Sequence, residues 1–169
     1  MKNRLAMVLL VTFALGACAA PLPPLPNTSE AIVEQRTIFV IRHLQKAQGD
    51  DPSLSDEGAA AAEHLADLLV DEGISAIFAT PTRRAMETAA PLAQRTGIAI
   101  TPYDPSNPHS LVAAIASAKG SVLVVGHSNT VHDLIGRLGG EPPSPLTDQD
   151  YGTIFMIDPE GVTSSREVN

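Results

Sequence analysis

From Thr37 onward, short β-rich apolar runs alternate with segments of helical pattern, and this alternation constrains the fold more than any other feature. Thr37–Ile41 (TIFVI) is short and rich in β-formers, as a buried strand should be. A helix follows, with Ser55 placed to cap its free N–H groups and Asp56 and Glu57 at the positive end of its dipole. Ala59–Val70 continues it, carrying Leu65, Leu68 and Leu69, until Gly73. Ile74–Ala79 is the next strand, and Thr82 is the expected cap of a helix from Arg83 to Thr96, closed by Gly97. Ile98–Thr101 then reads as a strand, Leu111–Ala118 as a helix, Val122–Val125 as a strand and Asn129–Leu138 as a helix stopped by Gly139-Gly140. A Pro-rich loop, Glu141–Leu146, leads to an antiparallel pair, Thr153–Ile157 and Val162–Val168. Strands alternating with helices predict βαβ units, so residues 37–169 are expected to form one three-layer α/β/α domain with a mainly parallel sheet.

In such sheets ligands bind beyond the carboxyl ends of the strands, so the residues there are the first place to look for chemistry. Arg42-His43 follows the first strand, Thr80 with Arg83-Arg84 the second, Tyr103-Asp104 the third and Gly126-His127-Ser128-Asn129 the fourth. The net charge of −8 excludes the broad basic footprint that nucleic acid demands, and it leaves any anion to a local pocket. Four of the 11 Lys and Arg residues (Arg42, Lys46, Arg83 and Arg84) fall at these strand ends. An acidic chain that gathers cations at one rim is built to bind an anion there, and the planar fork of arginine suits phosphate.

Two imidazoles at the same rim add reactivity. A neutral imidazole nitrogen can attack phosphorus and hold the phosphoryl group covalently, while guanidinium groups neutralise the charge that develops on its oxygens. Fixed positive charge of this kind makes a metal or other cofactor unnecessary. A hydrolase elbow at Gly126-His127-Ser128-Asn129-Thr130 fails, because Thr130 stands where a second Gly is required and no acid lies between Ser128 and His132, the last His. His109, His127 and His132 do not form a metal-ligand pattern, and His64, His109 and His132 read as surface or rim residues.

Phe39-Val40-Ile41-Arg42-His43 resembles the opening motif of the histidine phosphatase superfamily, which includes phosphoglycerate mutases and acid phosphatases. Thr80-Pro81-Thr82-Arg83-Arg84-Ala85-Met86-Glu87-Thr88-Ala89 resembles its second motif and Val125-Gly126-His127-Ser128-Asn129-Thr130 its third. Leu54-Ser55-Asp56-Glu57-Gly58 is similar to the stretch that opens the first helix of that family. The resemblance covers roughly Thr37 to Ile157 and implies a phosphoglycerate mutase-like fold. It further implies that His43 accepts the phosphoryl group, that Arg42 and Arg84 clamp it, and that His127 hydrogen-bonds it. Asp104, after the third strand, is then the expected general acid, with Lys46 and Asn129 beside the substrate and Arg83 solvated. Two positions depart from the family: Leu44 stands where Gly or Ala is usual, and Gln45 where many relatives carry Glu. They keep open an alternative, an envelope lipoprotein that binds phosphate or phosphosugar with impaired turnover. The leading expectation is metal-independent hydrolysis of a small phosphorylated substrate through phosphohistidine.

The amino-terminal part points to location. Lys2 and Arg4 precede an apolar run from Leu5 to Leu15, too short to span a bilayer and typical of a secretory signal. Leu15-Gly16-Ala17-Cys18 resembles the lipobox of bacterial lipoproteins, which implies cleavage after residue 17 and a lipid on Cys18, the one cysteine of the chain. Four prolines between Pro21 and Pro26 make residues 18–36 a semi-rigid tether. These features imply a domain on the periplasmic side of the envelope, with Ala19 after the cysteine matching the pattern for outer-membrane sorting. The alternative is an ordinary signal cleaved near Ala17-Cys18-Ala19 that leaves a soluble protein with a free thiol. The residues do not specify substrate identity or oligomeric state.

Overall fold

A computed structural model describes residues 36–168. The signal peptide, Cys18 and residues 18–35 of the tether lie outside the described residues. The elements run β1 (Ile38–Arg42), α1 (Asp56–Leu69), β2 (Ile74–Ala79), α2 (Arg83–Thr96), β3 (Ile100–Pro102), α3 (Pro108–Ala116), β4 (Ser121–Gly126), α4 (Ser128–Arg137), β5 (Thr153–Ile157) and β6 (Thr163–Glu167). They form a six-stranded sheet in the order β3-β2-β4-β1-β5-β6. The first four strands of that order are parallel, and β5 and β6 join antiparallel at one side.

Alternation along the central strands builds two cores. Phe39, Ile41, Leu123 and Val125 face one way, against Leu65 and Leu69 of α1 and Leu92 of α2. Val40, Val122 and Val124 face the other, against Ile115 of α3 and Val131 and Ile135 of α4. Apart from half-buried Ile38, both faces of β1 and β4 are buried, which explains why these strands read as apolar runs rather than alternating ones. The expected three-layer α/β/α architecture is therefore the observed one.

Local chemistry sets the element ends, in places differently from expectation. Ser55 caps α1 by accepting from the Gly58 N–H at 3.2 Å. The chain after β1 crosses this first turn so closely that a Cβ on residue 58 would lie 2.0 Å from the carbonyl oxygen of Gln45, which only glycine avoids. Thr82 does not cap α2 through its side chain; the Asp51 carboxylate instead accepts from the Arg83 N–H at 2.9 Å. Helix α3 begins at Pro108, three residues before the expected start, because proline in the first turn forfeits no helical hydrogen bond. Strand β3 is Ile100–Pro102, two residues later than its apolar run.

Candidate active site

The sheet brings the two imidazoles together by register. β1 and β4 are parallel neighbours with Arg42 opposite Gly126, and the His43 N–H donates to the Gly126 carbonyl at 2.9 Å. The next side chains, His43 and His127, therefore emerge side by side, their ring centroids 5.2 Å apart and their planes at 67°. Gly126 is required by close approach, since a Cβ there would meet Thr130 Oγ1 at 3.0 Å and the Tyr103 hydroxyl at 3.1 Å. From the adjoining β2, Thr80 donates its N–H to Val125 and sets its hydroxyl 2.8 Å from Nε2 of His127.

His43 is oriented for nucleophilic attack. Its Nδ1 lies 2.9 Å from the Leu44 carbonyl oxygen, an acceptor only, so the ring proton resides on Nδ1 and the Nε2 lone pair is left free. Burial above all lowers its pKa to about 4, opposed by the Leu44 hydrogen bond and assisted by the charges of His127, Arg84 and Arg42. His127 is likewise lowered to about 4, by burial first and then by Arg84 and Arg42. Both rings are thus neutral at pH 7, as a nitrogen nucleophile requires.

The arginines surround this pair. Arg42 is 4% exposed; its Nη1 donates to the carbonyls of Thr147 at 2.7 Å and Asp150 at 3.1 Å, and its Nη2 lies 3.6 Å from Asp148 Oδ1. The Tyr151 ring stacks on it, with Cζ 3.9 Å from the ring centroid. Arg84, from the first turn of α2, has Nη1 3.5 Å from Asp51 Oδ1. Each guanidinium also has a buried Nε–H that no atom of the described residues accepts. Together they form a donor set suited to a tetrahedral oxyanion.

These groups line a cleft of about 320 Å³ with Lys46, Ser128, Asn129 and Asp148. The structure thus brings Arg42, His43, Lys46, Arg84, His127 and Asn129 to one place. Arg83 is exposed, with Nη1 3.4 Å from the Ser53 hydroxyl. A larger cavity of about 440 Å³ lies at the opposite end of β1, between Arg36, Ile38 and Asp158–Gly161, and is lined by no histidine.

Asp104, the expected general acid, is not among the residues lining the cleft. Its carboxylate turns back to accept from the Ser106 N–H at 2.8 Å and the Ser106 hydroxyl at 2.7 Å, which holds it below the usual carboxylate range. His132 is half-buried, with its Nδ1–H donated to the Pro143 carbonyl. Leu44 is fully buried in the core, its N–H donating to Thr88 Oγ1 at 3.0 Å, so it does not narrow the cleft. Gln45 turns toward Glu57. The sequence assigns no role to the Thr80 hydroxyl, Asp51, Asp148 or Tyr151. For Asp51 one local signal exists: it follows Gly49-Asp50, a turn-forming pair, and its own backbone is left-handed, at φ 44°.

Residues 38–105 match the model of the histidine phosphatase superfamily (branch 1). Uncharacterized protein Rv0525 of Mycobacterium tuberculosis (strain ATCC 25618 / H37Rv) is 51% identical over 47 residues, which are 28% of this chain and 23% of that protein. The chain thus spans about a quarter of the length of that curated relative. Among solved structures, SixA from Agrobacterium tumefaciens superposes with a TM-score of 0.59 at 24% identity, over 80% of this chain and 97% of that one. The mycobacterial glucosyl-3-phosphoglycerate phosphatase Rv2419c gives a TM-score of 0.59 at 17% identity, over 78% and 96%. That phosphatase has also been solved with inorganic phosphate. Over residues 38–105 the chain matches the histidine phosphatase superfamily model in sequence, and over most of its described length it shares the fold of these solved structures.

Proposed function

We propose that this protein hydrolyses phosphomonoesters through a phosphohistidine on His43, without a metal ion. One observation carries the reading: Nδ1–H of His43 is committed to the Leu44 carbonyl, so the neutral ring presents Nε2 to a cleft that also holds both arginines. Attack by that lone pair breaks the phosphorus–oxygen bond and leaves the phosphoryl group on Nε2. Arg42, Arg84 and His127 surround the oxygens on which charge develops, and water then completes hydrolysis. The placement of Leu44 in the core and of Gln45 toward Glu57 favours turnover over a binding-only role, since neither unusual residue lines the cleft.

The substrate class that fits is a small phosphorylated sugar. Lys46, Ser128 and Asn129 supply polar groups at the rim, where hydroxyls would lie. The similarity in fold to a phosphatase of a glucosyl phosphoglycerate is consistent with that class. We further infer that the signal sequence and Cys18 place the domain, lipid-anchored, on the periplasmic side of the envelope. A Cys18→Ser variant that stays in the membrane fraction would contradict the anchor.

Hydrolysis of an aryl phosphate by the detergent-solubilised chain, with chelator present, tests the catalytic reading. Turnover is expected, and His43→Ala should abolish it. Equal phosphate release by both proteins would overturn the assignment of His43.

A further inference from the structure

Among the residues that line the cleft, Asp148 is the one that bears a carboxyl group. Its side chain is 92% exposed at the mouth, 3.6 Å from Nη2 of Arg42, whereas His43 on the floor is 3% exposed. In-line displacement places the attacking nitrogen and the leaving oxygen on opposite sides of phosphorus. An oxygen expelled by attack from His43 therefore departs toward the mouth, where Asp148 stands. Resting on the phosphatase reading above, we propose that Asp148 is the catalytic proton donor to the leaving oxygen.

The surrounding loop is built to present this residue. Thr147 and Asp150, on either side of Asp148, both give their carbonyl oxygens to Nη1 of Arg42. Asp150 Oδ2 accepts from the Thr147 N–H at 2.6 Å, closing the turn and occupying that carboxylate. Tyr151 packs on the same guanidinium, and the loop is tied to α4 by the contact between His132 and the Pro143 carbonyl. The arginine that clamps the phosphoryl group thus also fixes the turn that carries the acid. Asp104, bound to Ser106 outside the cleft, has no comparable access.

The protons and bonds balance. In the first half-reaction the His43 Nε2–phosphorus bond forms, the phosphorus–oxygen bond breaks, and the leaving oxygen takes the proton of the Asp148 carboxyl group. In the second, water attacks phosphorus, its proton passes to the Asp148 carboxylate, and the phosphorus–Nε2 bond breaks. Phosphate leaves with His43 neutral and Asp148 protonated again.

The test compares Asp148→Asn and Asp104→Asn on an aryl phosphate, whose leaving group needs little protonation, and on glycerol phosphate, whose alkoxide needs it fully. Inhibition by inorganic phosphate is measured alongside as a check on the folded site. Asp148→Asn is expected to lower kcat/KM on glycerol phosphate by about a hundredfold, with little change on the aryl ester, while Asp104→Asn is expected to alter neither. An equal loss on both esters, or no change on either, would overturn the proposal. So would a gain on both with tighter phosphate inhibition, because Asp148 would then be only a counter-ion that competes with substrate for Arg42. If the parent protein turns over neither ester, the phosphatase reading itself fails and takes this inference with it.

Discussion

Arg42 and Arg84 flank the same pair of imidazoles and each lies near an exposed aspartate, Asp148 and Asp51, yet the rest of their support differs. Arg42 ends a central strand, is almost wholly buried, and is fixed by two carbonyl oxygens and the face of Tyr151. Arg84 sits in the first turn of a helix, 20% exposed, with a 3.5 Å pairing to Asp51, itself largely exposed. Backbone carbonyls orient a guanidinium without cancelling its charge, whereas an exposed ion pair contributes only about 0–1 kcal/mol and is weakened by salt. The better-oriented arginine is nevertheless the weaker electrostatic influence: the charge of Arg84 lowers the pKa of both histidines more than that of Arg42 does. Arg42 is thus the better oriented of the two, and Arg84 contributes the larger share of a field that both supply.

Substituting the clamps should separate these contributions. Arg42→Lys keeps the charge but loses the fork and its carbonyl contacts, and kcat/KM should fall about 10²–10³-fold in steady-state assays. Arg84→Lys, which keeps most of the field, should cost less, on the order of tenfold. An equal loss would erase the distinction. Asp51→Ala removes both the partner of Arg84 and the acceptor for the Arg83 N–H, and it places alanine at a left-handed position. Denaturant unfolding should show a loss of about 1–2 kcal/mol, with Asp51→Asn retaining most of the stability. Tyr151→Leu should cost a few-fold in activity, in line with about 0.5–1 kcal/mol for a cation–π contact, while Tyr151→Phe should be nearly neutral.

Titration of the imidazoles gives the finest reading. In the folded protein both histidines should titrate near pH 4, so NMR should find them neutral at pH 6. Because these folded values lie below the ordinary 6.5, the unfolded chain binds more protons between pH 6.5 and 4. Stability should therefore fall as pH drops through that window, and activity should fail near its lower end as His43 becomes charged. Arg84→Gln should return the His127 titration further toward 6.5 than Arg42→Gln does. The reverse order would contradict the larger share of the field assigned to Arg84.

The parts of the fold legible in the sequence are those whose burial is complete. β1, β2 and β4 are mostly apolar and buried because helices cover both faces, and the residues at their carboxyl ends inherit their position from sheet register. Arg42, His43 and His127 can be found for that reason, and Arg84 because it opens the helix that follows β2. The turn around Asp148 cannot, because the loop has no periodicity and its role depends on Arg42, 105 residues away from Thr147. The cap of α2 is hidden likewise, since Asp51 reaches it from another loop. Asp104 is a different case: Asp-Pro-Ser is a local signature of a side-chain turn, and its Oδ1 accepts from both the Ser106 N–H and the Ser106 hydroxyl.

The central claim is that His43 carries the phosphoryl group, and trapping the intermediate tests it most directly. Protein quenched in alkali during turnover of an aryl phosphate, digested and sequenced by mass spectrometry, should show a phosphoryl adduct on the imidazole of His43. The adduct should be lost on mild acid treatment, as expected for a phosphoramidate. An adduct on His127 or on an oxygen-bearing side chain, while the protein is turning over, would contradict the account.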